Sequence, residues 1–117
     1  MIEQAVYDRL KVLCDGRVWA DIAKAGTPKP CITYQQVGGE VVQFTDQTLS
    51  DVRHARIMVK AWADKRITAS NLAAQIEELL VTHPDMQVVA IGTFISDYEE
   101  DTKLYGTRQD FSCWLKK

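Results

Sequence analysis

Hydrophobic positions recur along this chain with a helical period in some segments and a strand period in others. Ile2, Val6, Leu10 and Leu13 follow at steps of four, four and three, the spacing of one helical stripe, while Glu3, Asp8, Arg9 and Lys11 lie on the opposite face. A helix is therefore expected over residues 2–14. Asp15-Gly16 ends it, because glycine takes the left-handed turn that commonly follows a helix, and Arg17-Val18-Trp19-Ala20 reads as a short extended segment. In Gly26-Thr27-Pro28-Lys29-Pro30 each proline biases the residue before it to extended geometry, so this loop should lead directly into a strand.

That strand is Cys31 to Val37, rich in β-branched and aromatic residues, and Gly38-Gly39 joins it to Glu40-Val41-Val42-Gln43-Phe44 as a tight hairpin. Residues 45–51 are polar and aperiodic, the pattern of a loop. From Val52 to Trp62, Ala55, Ile57, Val59 and Ala61 alternate with His54, Arg56, Met58 and Lys60, which predicts a long strand with one buried face. Ala69, Leu72, Ala73, Ile76, Leu79 and Leu80 predict a second helix over 68–82, with Thr68 or Ser70 as cap and His83-Pro84-Asp85 as its stop; His83 is expected to meet the last helical carbonyls. Val88 to Ile95 is apolar on both alternations, which suggests a short central strand. Ser96 to Lys103 is an acidic turn, and Arg108 to Leu115 alternates again, with Phe111, Cys113 and Leu115 on one side. The sum is one α+β domain over residues 1–117: a mainly antiparallel sheet, two helices packed on one face, and a projecting β-hairpin.

Composition narrows the functional classes. The 117 residues are 46% hydrophobic and 26% charged, values of a soluble globular chain, and no apolar run reaches the ~18 residues that cross a bilayer. The first residues carry an acid and no basic or apolar stretch of a signal peptide, so the chain is expected to stay in the cytoplasm where it is made. Sixteen acids and fourteen bases are interspersed, without the basic stripe of a nucleic-acid binder. Three scattered cysteines and two histidines suggest neither a disulfide framework nor a zinc site.

Candidate chemistry is sparse. Cys113 or Cys31 with His54 would make a nucleophile and base, but all lie in or beside predicted strands, away from the exposed turn such a nucleophile needs. Asp97, Glu99, Glu100 and Asp101 lack the alternation of a calcium loop and read as a solvated turn. No glycine pattern cradles a phosphate, and Trp19, Trp62 and Trp114 read as packing residues. No catalytic residue, cofactor or metal is expected.

The hairpin is more informative. Around a Gly38-Gly39 turn, Val37 faces Glu40, Gln36 faces Val41, Gln35 faces Val42, Tyr34 faces Gln43 and Thr33 faces Phe44. Val42 and Phe44 then project one way, Val41 and Tyr34 the other, and each side also carries glutamine. Neither side is a clean core face or a clean solvent face. Two readings account for this: a contact with another subunit, with Tyr34, Val41, Val42 and Phe44 as interface residues, or a ribbon covered by its own chain.

The order of segments carries a resemblance. A helix ending in Gly16, then Arg17-Val18-Trp19-Ala20-Asp21-Ile22-Ala23, Gly26 to Pro30 running into Ile32-Thr33-Tyr34-Gln35, the strand through Ala55 to Val59 with Trp62, the Ala-rich second helix, and Leu104 to Trp114 recur together. In these the chain resembles the small tail-completion, or tail-terminator, proteins of long-tailed bacteriophages and prophages; Ala20 replaces an expected proline, and Gly106-Thr107 a common basic pair. The resemblance implies a structural protein of the virion without a catalytic site. It implies a homo-oligomer, commonly a hexameric ring and compatible with a monomer in solution, that caps the tail tube, stops its polymerisation and helps join it to the head. Its partners would be the tail tube protein and head-tail connector proteins, with no specific nucleic acid and no membrane. The competing class is a small α+β ligand-binding or regulatory module, with a pocket between helices and sheet.

Overall fold

The computed structural model describes residues 1–116. Helix α1 (Ile2–Leu10) buries Ile2, Val6 and Leu10, and α2 (Arg66–Val81) buries Ala69, Leu72, Ala73, Ile76 and Leu80. Strands β1 (Val18–Ala20), β2 (Cys31–Gln36), β3 (Val52–Ala63), β4 (Gln87–Glu99) and β5 (Leu104–Lys116) form one sheet in the order β1-β2-β3-β5-β4. Only β1 and β2 are parallel; the other pairs are antiparallel. The sheet is α+β in class, as the periodicity predicts.

The long register of β3 against β5 organises the core. Ala55 faces Cys113, Ile57 faces Phe111, Val59 faces Gln109 and Ala61 faces Thr107, and these residues point to the same side. Ile32 and Tyr34 of β2 join them through Ala61 and Val59, and Val88 of β4 through Cys113. The apolar stripes of both helices close over this face in one continuous cluster. Arg9 fastens the helices together, donating from Nε to the Leu79 carbonyl at 2.8 Å. Phe111, Leu10, Ile32, Ile57 and Leu80 are fully buried. Each such side chain contributes roughly 1.5–3 kcal/mol on burial, which is why these two stripes determine the fold.

Several expectations change. Helix α1 stops at Leu10, and Cys14–Gly16 forms a separate 3-10 turn in which all three residues take positive φ. Helix α2 begins after Lys65 without a side-chain cap, so Thr68 and Ser70 lie inside it. His83 turns away from the helix end. Its Nδ1 accepts the N–H groups of Asp85 and Met86, and its Nε2 lies 3.3 Å from the Ala5 carbonyl, pinning the turn against α1. The expected short central strand 88–95 is the long edge strand β4, continuing through the first part of the acidic segment.

The Gly38-Gly39 hairpin gives way to a different pairing. β2 takes β3 as its partner, from Cys31 against Trp62 to Gln36 against Ile57. That register sets Ile32 and Tyr34 under the helices, whereas a hairpin folded on Glu40–Phe44 would leave both without cover. A projecting hairpin does exist farther along: Gln43 bridges Leu49, and its tip is at Asp46.

β4 is irregular where it passes β5. Ile91 pairs with Asp110 and Ile95 with Arg108, leaving Gly92, Thr93 and Phe94 opposite Gln109. The buried Gln109 holds this bulge, donating from Nε2 to the Gly92 carbonyl at 2.8 Å and to Glu77 of α2 at 2.7 Å. Gly92 takes φ +73, a conformation that favours glycine.

Cys113 is 0% exposed, and burial pushes its thiol up to about 11. In the unfolded chain the thiol ionises near 9.0, so the folded state alone keeps the proton between these values. Cys113 leaves stability unaffected below pH 9 and lowers it as the pH rises toward 11. Denaturation midpoints measured across this range should decline more steeply for the wild type than for Cys113→Ala, and thiol reagents should label Cys113 only after unfolding.

Candidate assembly surface

The hairpin between β2 and β3 is built on a rigid base. The β2–β3 ladder runs one step past the strand, with Val37 N–H donating to the Arg56 carbonyl at 2.8 Å and Arg56 N–H to the Gly38 carbonyl at 2.9 Å. Gly39 then turns the chain out of the sheet. Its φ is +147, and a Cβ there would lie 2.8 Å from the His54 carbonyl oxygen and 2.9 Å from Ala55 Cα. Glu40 N–H donates to His54 Nδ1 at 2.8 Å, and His54 Nε2 lies 2.7 Å from Ser112 Oγ. Because Nδ1 accepts, a neutral imidazole carries its proton on Nε2 and donates it to Ser112. Trp114 packs beside the ring, with centroids 4.3 Å apart.

The tip is fixed by its own side chains. Ser50 N–H donates to the Val42 carbonyl at 3.0 Å and Phe44 N–H to the Thr48 carbonyl at 2.8 Å. Asp46 Oδ1 accepts the Thr48 hydroxyl at 2.6 Å and the Thr48 N–H at 3.0 Å. These bonds, the hydroxyl first, hold the Asp46 carboxyl below the ordinary carboxylate range. Gln47 completes the turn at φ +71.

Three of the four residues singled out in the sequence lie on this hairpin. Val41 is 75% exposed, Phe44 56% and Val42 36%. Leu49, across the bridge from Gln43, is exposed too and belongs with them; its segment reads as a polar loop in sequence. Tyr34 does not belong. At 9% exposure it lies on the helix side of β2, opposite Val59, and burial raises its phenol above the usual tyrosine range. It is a core residue, so it is removed from the candidate surface.

A second surface is the sheet face away from the helices. His54, Arg56, Met58, Lys60 and Trp62 of β3 point there, against Trp114, Ser112, Asp110, Arg108 and Gly106 of β5. Segment 21–30 covers its β2 end, where Cys31 and Thr33 are buried. The β4 end is open: the bulge keeps Ile91 and Ile95 on the same side, four positions apart, and both are exposed. With Arg56, Met58, Arg108 and Asp110 they line a groove of about 280 Å³. Arg56 pairs with Asp110 at 2.6 Å. Lys60 and Arg108 stand directly opposite each other, and among the described residues neither has an acidic partner within 4.0 Å. Sequence pattern misses this surface, since it depends on the β3–β5 register and on the bulge.

The Cys/His pairings considered from the sequence do not come together. Cys113 points into the core while His54 points to the opposite side of the sheet, and the Cys31 thiol is raised by burial. Among the described residues no group of three His, Cys, Asp or Glu side chains is placed to hold a metal ion. Gly39→Ala places a Cβ against backbone at a positive φ, and should cost about 1–3 kcal/mol in urea denaturation while weakening the hairpin base.

The sequence profile of the tail completion protein gp17 family matches residues 4–116. Among curated proteins no sequence matches. Among solved structures, a chain of the virion of a native gene transfer agent particle superposes with a TM-score of 0.65 at 16% identity, over 99% of this chain and 95% of that one. At that identity the likeness is one of fold. The profile covers nearly the whole chain, and the chain therefore belongs to the tail completion protein family, with a structural role in the phage tail.

Proposed function

We propose that the protein is a tail terminator: a homo-oligomeric ring, of six copies, that caps the finished tail tube, stops its growth and helps join it to the head. Its partners in this reading are the tail tube protein and head-tail connector proteins, and its place is the head-tail junction of the virion. The observation that carries the reading is the hairpin over residues 37–51, which presents Val41, Val42, Phe44 and Leu49 to solvent from a base locked into the sheet by His54 and Gly39. An exposed apolar ribbon on a rigid mount is a costly feature in a lone monomer and a useful one in a contact.

Ring geometry adds a requirement. A closed ring needs two different, complementary patches on each copy, and a hairpin at one place with an uncovered sheet face at another supplies two candidates. A monomer in dilute solution is consistent with this function, because a protein that ends a tube has reason to assemble only at the tube end.

The folded double variant Val42→Asp/Phe44→Asp is expected to fail in phage complementation, giving overlong or headless tails, since a charge in a desolvated contact costs several kcal/mol. Normal tail length and infectivity with that variant would remove the hairpin from the function. Normal tails in the absence of the protein would reject the function itself.

A further inference from the structure

We infer that the hairpin of one copy seats on the open sheet face of the next copy, at the groove formed by Arg56, Met58, Ile91, Ile95 and Arg108. This rests on the ring reading above and specifies its subunit contact.

Charge complementarity identifies the occupant. Residues 37–51 contain three acids, Glu40, Asp46 and Asp51, and no base. The groove lining carries Arg56 and Arg108, with one acid, Asp110, already paired to Arg56; on the same face Lys60 stands opposite Arg108 with its Nζ 5.9 Å from the Trp62 ring centroid, and Asp97 and Glu99 of β4 lie farther along. Lys60 and Arg108 are the decisive pair. Like charges directly opposite on neighbouring strands repel, and among the described residues no carboxylate lies within 4.0 Å of either. An acid supplied from outside relieves that repulsion.

Apolar surface matches as well. Val42 and Phe44 lie two positions apart and so project from the same face of the hairpin, while Met58, Ile91 and Ile95 form the groove wall. At about 280 Å³ the groove is slightly below the ~300–1,000 Å³ of small-molecule sites, a size for one or two protein side chains. The two patches differ from each other, as a head-to-tail contact requires, and the hairpin does not fill its own groove: its apolar side chains are exposed.

Charge exchange tests this. The groove variant Lys60→Glu/Arg108→Glu gives each copy two acidic patches. The hairpin variant Glu40→Lys/Asp51→Lys makes both patches basic, leaving Asp46 to hold the tip. Under conditions where the wild type forms rings, in concentrated solution or on tube ends, each variant alone is expected to lose rings by about tenfold or more. An equimolar mixture should restore them, because in an alternating ring every hairpin meets a groove of opposite charge, and six is an even number. Electron microscopy and native mass spectrometry read the outcome. Rings from either variant alone at the wild-type level, or none from the mixture of two folded variants, would overturn the inference while leaving the ring reading intact. No rings from the wild type under any of these conditions would instead reject the ring reading, and the inference with it. If a reversal unfolds the chain, Lys60→Gln/Arg108→Gln must flatten the salt dependence of ring formation; an unchanged dependence overturns the proposal.

Discussion

Both helices cover the same side of the sheet, and much of the molecule follows from that asymmetry. One face of β3 and β5 is closed by the stripes of α1 and α2. The other carries segment 21–30 over its β2 end, and at the groove between Met58 and Ile95 the sheet meets solvent. A sheet that buries one face normally makes the other polar. Here it does so incompletely, since Met58, Trp62, Ile91 and Ile95 share the outer face with arginines and lysine. Such a face suits the subunit contact proposed above.

The edge strand and the hairpin reflect the same logic. A long flat edge invites uncontrolled pairing, and β4 is interrupted midway by a bulge that Gln109 and Gly92 hold in place. The hairpin is anchored at its base by backbone bonds to Arg56 and by His54, and at its tip by Asp46 and Thr48. Rigid mounting lowers the ordering cost on contact.

How much of this was legible in the sequence varied with the range of the interactions involved. The alternation from Ala55 to Ala61 and the stripe from Ala69 to Leu80 place their elements correctly, because each rests on a long, single-faced burial pattern. The Gly38-Gly39 signal misleads because it is local: β3 offers β2 a partner that also buries Ile32 and Tyr34, and this outweighs a two-glycine turn. With that exchange Tyr34 moves from candidate surface to core, while Val41, Val42 and Phe44 stay exposed. β4 is misread as central because an apolar run on both alternations resembles a strand covered on two sides; Gly92 within it was the available sign of a bulge. The opposition of Lys60 and Arg108 could not be read without the register, since they are distant in sequence and meet only across paired strands.

In the proposed ring, the surfaces left uncovered by the helices are the ones that assembly covers. Hydrogen–deuterium exchange of the free protein and of the protein bound in tails compares them directly. Slower exchange is expected in the bound state for amides of residues 37–51 and of β4, with the outer sides of α1 and α2 unchanged. New protection confined to the helices, with the hairpin exchanging as fast as in the free protein, would contradict it.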